Sequence, residues 1–402
     1  MNIVLISGGW LRIPPQTGGG VEAHLFNLAK QISELGHNIF IIDRKYSQDD
    51  PQHEIINGVN IIRLKQGLLR GLPYTLKFFL FQIIWAFKVN KWLKLNQSDV
   101  IYLCVPIFGV CLFLLNANLK KKTVYGSHII RRTKMKYGLI DKIAIYIENK
   151  VIKASKLTVI ANEIIAAKIV QQVAVPAGKV RIVPAGIDLQ EYKPGYDATE
   201  IIKKYRLENK AVILFVGRVC AEKGVEYLIK AANIFINTYK RNNAHFLIVG
   251  PVKYFDTLNK AADGYTVKLK QMISGFNLES HVTFTGVIPL EDKIMLYSAC
   301  DTVVVPSLVD LDPVVQLEAM ASGKPVIGTD IGTMPWRIQN NKSGFIVRLG
   351  DEQELADRIE YLLQNPSEKI KMGAYARRNV EENYSTQKMA LKMLEVFRDA
   401  LL

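Results

Sequence analysis

Cysteine is scarce in this chain, with Cys104, Cys111, Cys220 and Cys300 the four in 402 residues. None stands in a CxxC pair and none is grouped with histidines, which argues against a zinc site and a disulfide framework. A reducing cytoplasm is the expected compartment. Long apolar runs are lacking too. The run FFLFQIIWAF, between Lys77 and Lys88, falls well short of the roughly 20 residues that span a bilayer. The opening Asn2-Ile3-Val4-Leu5-Ile6 has no basic leader and is too short for a secretory core, so a first β-strand is expected. The glycines after it, Gly18-Gly19-Gly20, are not spaced as GxGxxG and spell no nicotinamide fingerprint.

Acidic residues are missing from two stretches, Arg63 to Lys94 and Lys120 to Lys136, and each carries seven bases. The charge is therefore uneven. Residues 1–190 hold 25 Lys+Arg and 11 Asp+Glu, and the remainder holds 27 and 26, for a net +15. Basic character in one half implies an acidic partner for that half. On a helical wheel Lys77, Lys88, Lys91 and Lys94 share an arc of about 120°. A core helix with a solvated lysine edge fits this pattern. So does a basic amphipathic helix on an anionic membrane surface, through residues 63–95 and 120–136. The bases are interleaved with apolar helix rather than set on a readout motif, so no nucleic-acid partner is expected.

What the sequence does contain is alternation. A chain of this length with 49% hydrophobic residues suffices for two domains. Strand 2–7, a helix from Val21 to Leu35 closed by Gly36, and a strand from Asn38 to Ile42 make a βαβ start. Strands at Asp99 to Val105, Thr123 to Tyr125 and Leu157 to Ile160 follow, with helices between them. Residues 185–209, with Pro194-Gly195, read as a linker. The alternation restarts at Ala211 to Gly217, His245 to Gly250, Val282 to Thr285 and Thr302 to Val305. The expected fold is α/β: two doubly wound Rossmann-like domains, 1–190 and 191–385, facing across a cleft at their strands' carboxyl ends. The last helix, about 386–402, is amphipathic and suited to packing on either domain, including back on the first.

Three places in the second half, and one in the first, carry chemistry. Gly217-Arg218-Val219-Cys220-Ala221-Glu222-Lys223-Gly224 follows a strand and opens a helix, placing two cations near a helix N-terminus, which suits a diphosphate. In Val303 to Ile327, a buried strand ends at Pro306-Ser307, and a loop carries Asp310 and Asp312. Asp312 reads as an N-cap with Pro313 as the first helical residue, Glu318 lies inside the helix, and Gly323 ends it. The third place is the loop Gly328 to Met334. In the first half, His128 follows a strand beside Arg131, Arg132, Lys134 and Lys136, a position that serves structure more often than catalysis.

Taken together, GRVCAEKG, PSLVDLDPVVQLEAMASGKPVIGTDIGTMP, GGGVEAHLFNLAKQISELGH and PAGIDLQEYKP resemble, in order and over nearly the whole chain, the motifs of family-4 glycosyltransferases of the GT-B fold (glycosyl transferases group 1). The resemblance implies retaining transfer from a nucleotide-sugar to a glycan or lipid-linked acceptor, with no metal or other cofactor, in the cytoplasm or on the membrane's inner face. It implies that Arg218 and Lys223 neutralise the diphosphate and that Glu318 bonds the ribose hydroxyls. Asp310 and His128 would stand by the transferring sugar, with Asp312 and Pro313 beside the donor and Gly19 and Gly20 near its phosphates. The chain departs from the pattern in three places. Asp310 stands for a Glu, Leu311-Asp312-Pro313 replaces Gly-Phe-Gly, and Trp336 replaces the Glu of the GG-x-PE loop. All three sit where the sugar would be read. Asp310-Leu311-Asp312 also spells D-x-D, a metal motif of another glycosyltransferase fold, in a frame that points to coincidence. A phosphorylase on the same fold, or a non-catalytic binding member, are the alternatives.

Overall fold

The computed structural model describes residues 1–9, 11–15, 20–65, 74–127, 138–252, 262–310 and 312–402, the side chains of 74–79, 139–140 and 262–263 excepted. Two compact units form, one of Met1–Gly186 with Thr386–Leu402, the other of Ile187–Ser385. The sequence reading placed the division near 190. It falls earlier because Ile187 and Tyr192 are buried in the second unit's core, and the Ile187 N–H donates to the Tyr384 carbonyl at 2.8 Å. The expected linker 185–209 belongs to that unit from Ile187 onward. It contains a helix, Thr199–Tyr205, with Ile201 and Leu207 buried.

The first unit runs β1 (Asn2–Ile6), α1 (Gly20–Glu34), β2 (Asn38–Arg44), β3 (His53–Ile56), β4 (Val59–Leu64), α2 (Tyr74–Leu95), β5 (Val100–Leu103), α3 (Pro106–Leu115), β6 (Thr123–Gly126), α4 (Leu139–Ala154), β7 (Leu157–Ile160), α5 (Glu163–Val173) and β8 (Val180–Ile182). The strands lie in the order β3-β4-β2-β1-β5-β6-β7-β8, parallel except β3 against β4. Apolar β-branched runs suit strands buried on both faces. On one face Ile3, Leu5, Ile39 and Ile41 pack with Leu25, Leu28 and Ile32 of α1 and with Met393 and Phe397 of the final helix, Thr386–Asp399. That helix therefore belongs to the first unit's core.

The second unit runs α6 (Thr199–Tyr205), β9 (Ala211–Val216), α7 (Val225–Asn233), β10 (Ala244–Val249), α8 (Ala262–Gly275), β11 (Val282–Gly286), α9 (Leu290–Ala299), β12 (Thr302–Val305), α10 (Val314–Ala321), β13 (Val326–Thr329), α11 (Met334–Arg337), β14 (Gly344–Val347), α12 (Glu352–Gln364) and α13 (Pro366–Asn383). Its sheet, β11-β10-β9-β12-β13-β14, is parallel throughout. Both units are thus doubly wound. Strand order reverses at β1/β5 in one and at β9/β12 in the other, and loops leaving such strands diverge, opening a crevice at their carboxyl ends. Among the described residues no helix is long and apolar enough to cross a membrane.

Candidate functional site

The loops after β9 and β12 flank the second unit's switch point. After β9 the chain makes a single 3-10 turn, Ala221–Lys223, and reaches Gly224 at φ +67°. A Cβ on Gly224 would lie 1.9 Å from the Pro306 carbonyl oxygen, so only glycine lets this turn close against the end of β12. The contact continues along the backbone. The N–H groups of Leu308 and Val309 donate to the Glu222 carbonyl at 2.8 and 3.1 Å. Two segments far apart in sequence are therefore pinned together, and their side chains meet.

The Lys223 ammonium forms an ion pair with the Asp310 carboxylate, their side chains 17% and 6% exposed. The Ser307 hydroxyl approaches the same carboxylate at 3.5 Å. Arg218, on the same loop, keeps a half-exposed guanidinium 3.9 Å from Glu222. Burial pushes the Cys220 thiol up, against the pull of Arg218 and Lys223, so it remains a protonated, weakly polar side chain. The arrangement offers two cations at one strand end, one of them held in place by a carboxylate.

Asp312 departs from expectation. Pro313, buried, occupies the cap position of α10 at φ −69° and ψ 107°, and Asp312 caps nothing. Its carboxylate instead pairs with the guanidinium of Arg337, which is 1% exposed, and accepts the Thr333 hydroxyl at 2.9 Å. Gln316 donates to the same hydroxyl at 2.9 Å, and the Tyr384 ring lies 5.2 Å from the guanidinium. A buried guanidinium demands a counter-charge, and Asp312 supplies it. The carboxylates of the apparent D-x-D thus serve different cations. Asp312 and Pro313 hold the loop, and Thr333 and Arg337 bring the third loop into the same cluster. Nothing singled out Arg337 in the sequence, since a basic residue after Trp336 looks like surface.

Glu318 is nearly buried on α10. It accepts from Tyr297 at 2.6 Å, from Lys293 at 2.9 Å and from Tyr192 at 3.3 Å. Burial, reinforced by the Glu318 charge, raises both tyrosine hydroxyls well above their ordinary value, so they stay donors to the carboxylate. None of these partners was legible in the sequence.

In the first unit Gly20 opens α1, and among the described residues nothing lies within 4 Å of a Cβ built there. Gly19 and His128 lie outside the described residues. Ser127, before His128, donates to buried Glu148 at 2.6 Å. Arg63, one of the seven bases of the first acid-free stretch, is an internal ion-pair partner rather than a surface charge. It is 1% exposed, bonds Asp43 at 2.8 Å and the Ile13 carbonyl at 2.7 Å, and pairs with Glu54. Asp43 in turn accepts from Ser7 at 2.7 Å and from the Ile13 N–H at 3.1 Å. This buried pair braces the loop leaving β1.

The two halves of the chain match two profiles, Glycosyltransferase Family 4 over residues 18–191 and Glycosyl transferases group 1 over residues 197–379. The chain belongs to the family-4, group 1 glycosyltransferases. It is 26% identical to an uncharacterized glycosyltransferase of Methanocaldococcus jannaschii, over 100% of this chain and 99% of that protein. It is also 26% identical to the D-inositol 3-phosphate glycosyltransferase of Corynebacterium urealyticum, over 94% and 90%. A GDP-mannose-dependent phosphatidylinositol monomannoside mannosyltransferase of Mycobacterium tuberculosis is 28% identical over 56% of this chain and 57% of its own length. Among solved structures, sucrose-phosphate synthase from Thermosynechococcus elongatus superposes with a TM-score of 0.83 at 22% identity, covering 99% and 98% of the chains. Anabaena HepE, in complex with UDP-glucose, gives 0.77 at 19%, covering 99% and 100%. These likenesses establish the GT-B fold of this glycosyltransferase.

Proposed function

We propose that this glycosyltransferase moves a sugar from a nucleotide-sugar, with retention, to a phosphate-bearing or lipid-linked acceptor of the cell envelope, on the cytoplasmic side of the membrane. The observation that carries the reading is the pairing of Lys223 with Asp310 beside Arg218, on two mutually bonded loops at a switch point. Transfer breaks the bond between the anomeric carbon and the diphosphate oxygen, and the electron pair leaves on that oxygen. The acceptor oxygen bonds the anomeric carbon and its proton passes to the departing phosphate. Cations fixed in advance stabilise the charge as it grows. In this reading Lys223, held at the strand end by Asp310, faces the diphosphate, and Asp310 keeps one oxygen for a sugar hydroxyl. Glu318 offers its remaining place to the ribose: an ionised carboxylate accepts about four hydrogen bonds, and Tyr297, Lys293 and Tyr192 fill part of that capacity. No metal is required, because the protein's own cations do this work.

Two relatives support the acceptor class. Their names specify inositol 3-phosphate and phosphatidylinositol monomannoside, both phosphate-bearing, and the first half of this chain is strongly basic. The test is a thermal-shift panel of UDP-, GDP- and ADP-sugars, followed by labelled transfer and NMR of the product's anomeric proton. A donor at about 100 times its Kd stabilises by about 2.7 kcal/mol. EDTA is expected to leave the rate unchanged. Gly20→Ala is expected to fold normally and lose transfer, since the open space at its Cβ is then reserved for the donor. Near-normal turnover in Arg218→Ala would overturn the reading, as would an inverted product for its stereochemistry.

A further inference from the structure

We propose that α2, α3 and α4 of the first unit together form a docking face for an anionic lipid bilayer. The three helices are neighbours in one layer. Trp92 of α2 packs its ring 5.8 Å from Phe40 of β2. A Cβ on Gly109 of α3 would stand 3.2 Å from Leu103 of β5 and from Val151 of α4. The Tyr125 hydroxyl of β6 donates to Glu148 of α4 at 3.2 Å. Phe40, Leu103 and Tyr125 alternate with Ile39, Tyr102 and Val124, which face α1 and the final helix. The layer therefore covers the opposite side of the sheet, and its outer surface is set by what these helices leave uncovered.

What they leave uncovered is both apolar and basic. Phe87 is 57% exposed, Leu114 82%, Ile143 49% and Tyr146 60%. On α2 the exposed stripe passes from Ile83 and Phe87 to Lys91 and Lys94, at spacings that share one helical face. On α4 the exposed Lys142 and Lys150 flank Ile143 and Tyr146, and the Lys150 ammonium lies 5.1 Å from the Tyr146 ring. Among the described residues the acids on these helices are Asp141 and Glu148. Glu148 is fully buried, and Asp141, partly exposed in the first turn of α4, accepts from the Gly138 N–H at 3.3 Å, so the exposed Lys91, Lys94, Lys142 and Lys150 outnumber the acids on this face.

Single exposed apolar side chains are ordinary. A cluster on one face, ringed by charge of one sign, marks an interaction surface. A second copy would bring the same lysines and be repelled. A bilayer with anionic headgroups satisfies both features, since the apolar side chains enter the interface while the ammonium groups meet phosphates. This face differs from the two acid-free stretches. It excludes the buried Arg63 and includes α4, which neither stretch contains.

The test is sedimentation of the full chain with vesicles of phosphatidylcholine alone or mixed with phosphatidylglycerol, at low and high salt. The vesicles hold no donor or sugar acceptor, so the result is independent of the transfer reading. Binding is expected to the phosphatidylglycerol vesicles alone and to weaken with salt. Lys91→Gln with Lys94→Gln is expected to weaken it about 25-fold, from roughly fivefold per lysine. Phe87→Ser with Tyr146→Ser is expected to remove the salt-resistant remainder, with the melting curve of either double variant unchanged. Equal binding to both vesicles, no binding, unaltered binding by either folded variant, or a dimer that the same substitutions dissolve would each overturn the proposal.

Discussion

Replacing Lys223 by Met separates what the Lys223–Asp310 pair does for the fold from what it does for transfer. Asp310 would be left without its counter-ion at 6% exposure, with the Ser307 hydroxyl at 3.5 Å as its nearest remaining hydrogen-bond partner among the described residues. Removing one member of a fully buried pair costs about 3–5 kcal/mol. Lys223 is 17% exposed, so water reaches the site and about 2–3 kcal/mol is the expected loss. For a unit of about 200 residues, Ile187–Ser385, this lowers the thermal midpoint by about 5–10 °C. Transfer is expected to fall further than stability explains, by about 10²–10³-fold, because a fixed cation at the leaving group is gone. The double variant Lys223→Met, Asp310→Asn removes the stranded charge as well. Its midpoint is expected to return to within a few degrees of the parent, with affinity for the nucleoside diphosphate and transfer still lost. Calorimetry and a labelled-donor assay on both proteins measure this. An unchanged midpoint in Lys223→Met would refute the buried-pair argument. Recovery of diphosphate affinity in the double variant would refute a direct role for Lys223 on the leaving group.

Gly224→Ala places a side chain in left-handed backbone, about 1–2 kcal/mol, and forces the Pro306 backbone aside, about 1–3 kcal/mol more. A lower urea midpoint measures the sum. Arg337→Met strands Asp312 and is expected to destabilise the second unit by about 3 kcal/mol, with Asp312→Asn in the same chain restoring most of it in a melting experiment. Burial first, then Lys210 and His281, lower the His245 pKa to about 4. The unfolded chain therefore takes up a proton below about pH 6.5 that the folded one refuses until about pH 4, and stability falls across that window. His245→Gln is expected to flatten the pH dependence of the melting temperature between those values. An equally steep profile would show that other groups dominate there.

Local signals that depend on near neighbours in sequence were legible. The apolar runs of β1 and β12 lie buried in parallel sheets as read, and Gly36 and Gly323, at φ +81° and +71°, close their helices as placed. The β3–β4 hairpin was missed although Asn57-Gly58, at φ 50° and 78°, is a strong turn signal. Its short strands sit just before a basic stretch that read as one continuous helix. The cap assigned to Asp312 failed for a different reason. The spacing favours a cap, but a buried guanidinium contributed by α11 competes for the same carboxylate and wins, because an unpaired buried charge costs more than an empty cap.

The sequence alone determined the doubly wound pattern, the family, and the segments that would supply cations and carboxylates, because each rests on periodicity or on contiguous motifs. The tertiary structure decided how those groups are used. It joined Lys223 to Asp310, Arg337 to Asp312, and Tyr192, Lys293 and Tyr297 to Glu318, and it buried Arg63 with Asp43. Which carboxylate a cation meets depends on which strand ends lie side by side in the sheet, and that order is fixed by the packing of the whole unit rather than by any short stretch of chain.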